Sequence, residues 1–296
     1  VKQIVIISGK GGTGKTSVAA SLAFLAGRRA VVADCDVDAA DMHLVTAPEL
    51  LEKKDFYSGY EAVIDPLACT GCGACVEVCH FDAIIPEGEV YRVLPLECEG
   101  CGYCPRVCPV DAITMRSLKA GEIYVSRTRW GNTLVHAALG IGSDMSGKLV
   151  SEVRRRAREE AEKENVQYIL IDGSPGTGCP VTASITGTDY VVLVTEPTLS
   201  GKHDLERVYQ VVRRFGIAAG CIINKADLHP AITAELERFA AREGIDLLGK
   251  FPYDDLFVEA VNEGKCVAEM EGTDVAAAMM EVWNKIQEQL NQDQKP

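Results

Sequence analysis

No apolar run in the 296 residues approaches the roughly 18 needed to cross a bilayer, so no transmembrane helix is expected. Val1 runs straight into an apolar stretch, with no basic segment and cleavage site, so no secretory leader is expected. Positive charge is scarce: 30 Lys and Arg against 43 Asp and Glu leave a net charge of −13. That sign disfavours broad attraction to nucleic acid or anionic lipid, so neither a nucleic-acid partner nor a membrane anchor is expected. Cysteine is what the chain has, with 12 of them. Eight fall in two tight sets, Cys69, Cys72, Cys75, Cys79 and Cys98, Cys101, Cys104, Cys108, while Cys35, Cys179, Cys221 and Cys266 are scattered. A disulfide scaffold would be short and cysteine-dense throughout, and this chain is neither. Metal ligation in a reducing, cytoplasmic compartment is the expectation.

The length allows one large α/β domain or two modest ones. KQIVII (2–7) predicts a buried strand before a glycine-rich turn, residues 15–27 a helix, and AVVAD (30–34) a second strand ending on an acid. The pattern resumes with a charged helix over 146–166 and strands at 168–172, 190–194, 220–224 and 247–252, separated by helices near 202–215 and 230–243. Strands alternating with helices imply an α/β fold with a mostly parallel sheet covered on both faces. In the tail, Val275, Met279, Val282, Ile286 and Leu290 recur at helical spacing, as expected of a helix packed on the sheet. From about 60 to 117 there is no helical period, and the segment repeats: CTGCGACVEVCHFDAI (69–84) overlays CEGCGYCPRVCPVDAI (98–113). The expected organisation is a domain of 1–59 and 118–296 with a duplicated, metal-binding insertion at 60–117. EIYVSRTRW, after that insertion, is expected to return as a strand to the main sheet.

Gly9-Lys10-Gly11-Gly12-Thr13-Gly14-Lys15-Thr16 fits G-x-x-x-x-G-K-[ST] between a strand and a helix. Glycines let backbone N–H groups turn toward the β-phosphate, and the helix N-terminus adds positive potential. Lys15 is expected on the β- and γ-phosphates, Thr16 on Mg²⁺ and Ser17 on the α-phosphate. Lys10 has no place in that scheme. KGGTGKT resembles the deviant phosphate loop of the MinD/ParA class of P-loop ATPases, which also includes the nitrogenase iron protein. The resemblance implies that Lys10 crosses a dimer interface to the partner's phosphates, where it offsets transition-state charge. A solvated loop lysine is the plain alternative. Asp34-Cys35-Asp36 resembles the family's first switch, making Asp36 the candidate for Mg²⁺ and the attacking water. Asp38 and Asp41 are expected to be solvated or capping. Asp172-Gly173-Ser174-Pro175-Gly176 resembles the second switch, with Asp172 holding Mg²⁺ through water. Cys179, just beyond it, is expected to be a buried small side chain. Asn224-Lys225-Ala226-Asp227 read alone suggests guanine recognition. The family resemblance instead places Asn224 on adenine, with Pro252 in a loop beside the base, so ATP and ADP are the expected nucleotides.

Each cysteine set reads C-x2-C-x2-C-x3-C, the second followed by Pro109 and the first by His80. This resembles the bacterial two-cluster ferredoxin run. The resemblance implies an α+β domain with two [4Fe–4S] clusters whose fourth cysteines are exchanged. One cluster would take Cys69, Cys72, Cys75 and Cys108, the other Cys79, Cys98, Cys101 and Cys104. Zinc sites use paired C-x2-4-C units, which this crowding does not match. A surface or packing role is expected of His80. Three functions follow as expectations for such an ATPase. The first is nucleotide-gated electron transfer to a redox partner. The second is assembly or carriage of metal clusters, although the family's carriers use a short C-x2-C that is not found outside the two runs. The third is a positioning switch with a redox-sensing or docking module. The ATP-closed dimer would be a homodimer or a heterodimer with a similar ATPase.

Overall fold

The computed structural model describes residues 1–37, 40–140 and 146–292. The strands are β1 (Lys2–Ser8), β2 (Ala30–Asp34), β3 (Glu49–Ile64), β4 (Ile84–Glu87), β5 (Val90–Val93), β6 (Ile113–Arg127), β7 (Thr133–Leu139), β8 (Tyr168–Asp172), β9 (Tyr190–Thr195), β10 (Ala218–Ile223) and β11 (Asp246–Lys250). The helices are α1 (Lys15–Ala26), α2 (Met42–Thr46), α3 (Ala74–Glu77), α4 (Cys104–Val107), α5 (Ser146–Glu164), α6 (Cys179–Ile185), α7 (Leu199–Arg214), α8 (Pro230–Glu243), α9 (Leu256–Asn262) and α10 (Asp274–Gln292). The chain separates into two compact units. One comprises Val1–Lys54, Ile123–Ala138 and Ser146–Pro296, the other Asp55–Glu122 and Leu139–Met145.

The first unit is built on a nine-stranded sheet of order β11-β10-β9-β1-β8-β2-β7-β6-β3, in which β3 and β6 continue into the second unit. The pairs β10/β11, β9/β10, β1/β9, β1/β8, β2/β8 and β2/β7 are parallel. β1 and β2 are buried almost end to end, as parallel strands covered on both faces must be. Their carboxyl ends open onto the loops that carry the motifs, the usual place for a ligand in such a sheet. On one face, Ala19, Leu22 and Ala23 of α1 pack with Ile4, Ile6 and Val192, and with α10. The five periodic apolar residues of α10, from Val275 to Leu290, are all buried, so this helix belongs to the core. No helix among the described residues is long and apolar enough to cross a membrane.

The second unit has two one-turn helices, α3 and α4, and a hairpin in which Ile84 faces Val93 and Glu87 faces Val90. Its buried cluster is small: Ala62, Cys75, Ile84 and Ile113, with Cys79, Tyr91, Cys98, Cys104 and Cys108 packed against it. β3, β7, α2, α3, α4, α6, α9 and the β4–β5 hairpin go beyond the sequence expectation. The helices among them have at most seven residues, too few to show a readable period, and depend on tertiary packing.

Candidate nucleotide and cluster sites

In the first unit, Gly9–Gly14 form the turn between β1 and α1, and Lys15 and Thr16 open the helix. Gly14 has φ +91°, which only glycine adopts without strain, and a side chain there would meet Asn224 Nδ2 at 2.5 Å. α1 starts with no side-chain cap, leaving first-turn N–H groups for an anion. Asn224 braces the loop from β10: its Nδ2 donates to Thr13 O at 3.0 Å, and its Oδ1 accepts from Lys225 N–H at 2.9 Å. Lys225 Nζ donates to Gly12 O at 3.3 Å.

Lys15 is buried among carboxylates. Its Nζ lies 2.7 Å from Asp172 Oδ1 and 3.2 Å from Asp36 Oδ2. Burial alone would lower the Lys15 pKa, but Asp172, Asp36 and Asp34 outweigh it and raise the pKa. Asp34 is pushed well above the carboxylate range by burial and by the charge of Asp172. Asp172 Oδ2 and Thr13 Oγ1 are buried without a hydrogen-bond partner. Three acids around one ammonium, one with an orphaned oxygen, suit a divalent cation bound mainly through oxygen and water. Thr16 belongs to the same group: its Oγ1 accepts from Lys15 Nζ at 3.5 Å. These residues fit Mg²⁺.

Two cavities flank the loop. One of ≈ 530 Å³ is lined by Gly11, Gly12, Gly14, Lys15, Thr16, Ser17 and Asp36, and by Ser174 and Pro175 from the segment after β8. The other, ≈ 440 Å³, is lined by Gly12, Gly14, Ser17, Asn224, Lys225, Tyr253, Asp254 and residues of α9. Both are of ligand-pocket size. Pro252 is exposed and does not line the second cavity, where its neighbours Tyr253 and Asp254 stand. Asp227 lines neither; its Oδ1 accepts from Tyr253 N–H at 2.6 Å. Gly9 closes the other side of the loop, where a side chain would run into Asp204 of α7 at 2.5 Å.

Lys10 is not a solvated lysine in this chain. Its Nζ pairs with Glu196 Oε1 at 2.7 Å and donates to Ser200 Oγ at 3.0 Å and Thr198 Oγ1 at 3.2 Å. Glu196 also holds Lys225 at 2.8 Å. Burial would raise the Glu196 pKa, but the two lysines outweigh it and lower the pKa. Glu196 escaped sequence reasoning because a lone acid after a strand carries no motif; its role comes from where α7 begins. Cys179 corrects an expectation: it is exposed, at the open first position of α6. Asp41 is exposed at the N-cap position of α2, with no capping hydrogen bond from its side chain, and Asp38 lies outside the described residues.

In the second unit the sequence repeat is also a structural repeat. The offset that carries Cys69 onto Cys98 carries Asp82 (φ +51°) onto Asp111 (φ +52°), two left-handed aspartates. It also carries Gly71 onto Gly100, and a side chain on either would strike backbone: Glu89 O at 2.3 Å and Tyr60 O at 2.1 Å, themselves related by the same offset. The bonds Asp65 N–H to Ala112 O (2.8 Å) and Leu94 N–H to Ala83 O (2.7 Å) exchange under it. Cys79, Cys98, Cys101 and Cys104 line one small cavity, which brings the fourth cysteine of the first run to the first three of the second. Burial, followed by the neighbouring Cys98, pushes the Cys104 thiol up to about 11. Cys75 is likewise raised by burial, with Cys69 and Cys72 beside it. Ala112 N–H donates to Cys108 Sγ at 3.2 Å. Among the described residues no three His, Cys, Asp or Glu converge as one metal ion requires. A cube differs, because each of its thiolates binds a different iron. An all-cysteine donor set on glycine turns, shielded by apolar side chains, fits [4Fe–4S]. His80 is exposed.

Two uncharacterized proteins of Methanocaldococcus jannaschii resemble the chain. One is 36% identical, over 77% of this chain and 80% of the relative. The other is 26% identical, over 88% and 90%. An iron-sulfur cluster carrier protein of Pyrococcus horikoshii is 24% identical over 49% of this chain and 54% of its own length. Among solved structures, the septum site-determining protein MinD of Pyrococcus horikoshii, complexed with Mg-ADP, shares the fold. Its TM-score is 0.58 at 20% identity, covering 96% of this chain and 95% of that one. Residues 4–267 match the CobQ/CobB/MinD/ParA nucleotide binding domain, and the chain belongs to that family.

Proposed function

We propose that the protein is a Mg²⁺-dependent ATPase that holds two [4Fe–4S] clusters and uses its nucleotide cycle to gate electron transfer to a partner protein. The reading is carried by one observation: the same chain contains a preformed phosphate loop, with its lysine among three carboxylates, and a duplicated set of eight cysteines on matching turns. ATP would lie along Gly9–Ser17, with Lys15 on its β- and γ-phosphates. Thr16, Asp36 and Asp172 would hold Mg²⁺, and Asp36 would also orient the attacking water. The base would occupy the cavity beside Asn224 and Tyr253. Adenine is favoured over guanine because the Asp227 carboxylate already serves Tyr253 N–H and lines no cavity. In an ATP-closed dimer, Lys10 would exchange Glu196 for the phosphates of the partner subunit. That second subunit would be an identical chain or a similar ATPase.

The two cysteine groups, Cys69/Cys72/Cys75/Cys108 and Cys79/Cys98/Cys101/Cys104, would each hold one cube, which supplies a one-electron couple. A second reading, a cluster-assembly or carrier ATPase, is favoured by the likeness to the Pyrococcus iron-sulfur cluster carrier. The two differ in whether iron stays on this chain or moves to an acceptor apoprotein during ATP turnover.

Protein isolated without oxygen should contain about eight iron and eight sulfide per chain and hydrolyse ATP. Lys10→Ala should abolish ATP-driven dimerisation and hydrolysis while leaving ATP binding by the single chain intact. Zinc without sulfide would refute the cluster assignment, and normal turnover in Lys10→Ala would refute the trans role.

A further inference from the structure

The cavity assigned to the base is lined by several polar side chains, and most of them are already engaged. Asn224 spends its amide on the phosphate loop: Nδ2 donates to Thr13 O at 3.0 Å and Oδ1 accepts from Lys225 N–H at 2.9 Å. Lys225 Nζ is held by Glu196 at 2.8 Å and by Gly12 O at 3.3 Å. Asp254 Oδ1 accepts from Leu256 N–H at 2.9 Å. Asn262, the last residue of α9, lines the same cavity, and among the described residues no hydrogen bond engages its side chain. Its amide still has a carbonyl acceptor and an NH₂ donor to offer.

The apolar part of the wall comes largely from the same helix. Phe257, Val258 and Val261 line the cavity together with Tyr253, and Phe257 packs edge-on against buried Phe251 at 6.1 Å. Tyr253, Val258 and Val261 are exposed, so this wall has apolar surface that a flat purine ring would take out of water. Val258 and Asn262 are four residues apart, which makes them neighbours on one face of the helix. An apolar wall with one open amide suits a ring with a polar edge.

We propose that Asn262 is the specificity-determining residue for the base, pairing through its amide with the amine-bearing edge of adenine, while Asn224 serves as a brace for the phosphate loop. The inference rests on the ATPase reading above and names the residue that selects its nucleotide. Adenine presents a donor, its N6 amine, beside an acceptor ring nitrogen, and a carboxamide presents an acceptor beside a donor. Guanine presents N1–H and its N2 amine, two donors side by side, which a carboxylate matches instead. The carboxylate of the strand-end motif, Asp227, accepts from Tyr253 N–H and lines no part of this cavity.

The test uses the full chain, prepared without oxygen, and calorimetry with Mg²⁺ and three probes: ATP, GTP and purine riboside triphosphate, which lacks the adenine amine. If the unaltered chain binds none of the three, the ATPase reading fails, which is a different result from a failure of this inference. The unaltered chain should bind purine riboside triphosphate roughly 10- to 100-fold more weakly than ATP. Asn262→Ala should weaken ATP by a similar factor and remove the difference between the two. Asn262→Asp puts an acceptor opposite a ring nitrogen of adenine, so the ratio of ATP to GTP affinity should fall. Asn224→Ala should weaken ATP and the analogue alike, because it loosens the loop that holds the phosphates they share. Equal binding of ATP and the analogue by the unaltered chain would overturn the proposal. So would an amine preference that survives Asn262→Ala or is lost in Asn224→Ala, and so would an unchanged ATP-to-GTP ratio in Asn262→Asp.

Discussion

Lys15 and Asp172 belong to a framework of strands buried on both faces; they are 6% and 1% exposed and already face each other at 2.7 Å. The eight cysteines of the second unit sit on turns and one-turn helices, around a buried cluster of Ala62, Cys75, Ile84 and Ile113. In the nucleotide unit the fold makes the site. In the cysteine unit the side chains that would bind the ligand are much of what there is to pack, so the ligand would help to make the fold. Small domains with little core commonly depend on metal in this way.

The largest expected effect separates the units directly. Stripping iron with a chelator should make Asp55–Glu122 sensitive to protease, with cuts located by mass spectrometry, while the nucleotide unit stays resistant and still binds ATP. Equal resistance before and after would remove the contrast. Next in size, Lys15→Ala should lower ATP turnover by roughly 10²–10³-fold, the usual loss when a donor to developing charge is removed. Iron and sulfide content should not change, because Lys15 belongs to the other unit.

A third effect is confined to the nucleotide unit and depends on pH. Burial, then the charge of His43, lowers the His136 pKa from 6.5 to about 4. The folded state therefore resists a proton that the unfolded chain accepts. Stability is complete above pH 6.5 and falls as the pH drops toward 4, by up to about 3 kcal/mol. Both tryptophans, Trp130 and Trp283, lie in this unit, so denaturant melts followed by tryptophan fluorescence report it. His136→Gln should flatten the profile. Smallest is Gly14→Ala, which forces a side chain onto φ +91° and against Asn224. A cost of about 1–3 kcal/mol is expected, together with weaker ATP binding, measured by melting and calorimetry.

Motifs whose chemistry needs neighbouring residues are legible in the sequence. Gly9–Thr16 must be contiguous to wrap a phosphate, and the first three cysteines of each run must be close together to reach one cluster. The β1, α1 and β8–β10 pattern is legible because short, continuous apolar runs alternate with longer stretches of helix-forming residues. Glu196 is not, because chain folding brings it to Lys10 from a separate strand end.

The most direct measurement is an anaerobic EPR redox titration of the intact protein with no nucleotide, with ADP, and with a non-hydrolysable ATP analogue. The account predicts that the ATP analogue alone shifts at least one cluster potential by tens of millivolts, where about 59 mV is a tenfold change for one electron. Linkage then requires reduction to change ATP affinity by the same factor. Identical potentials in all three states would contradict nucleotide-gated electron transfer.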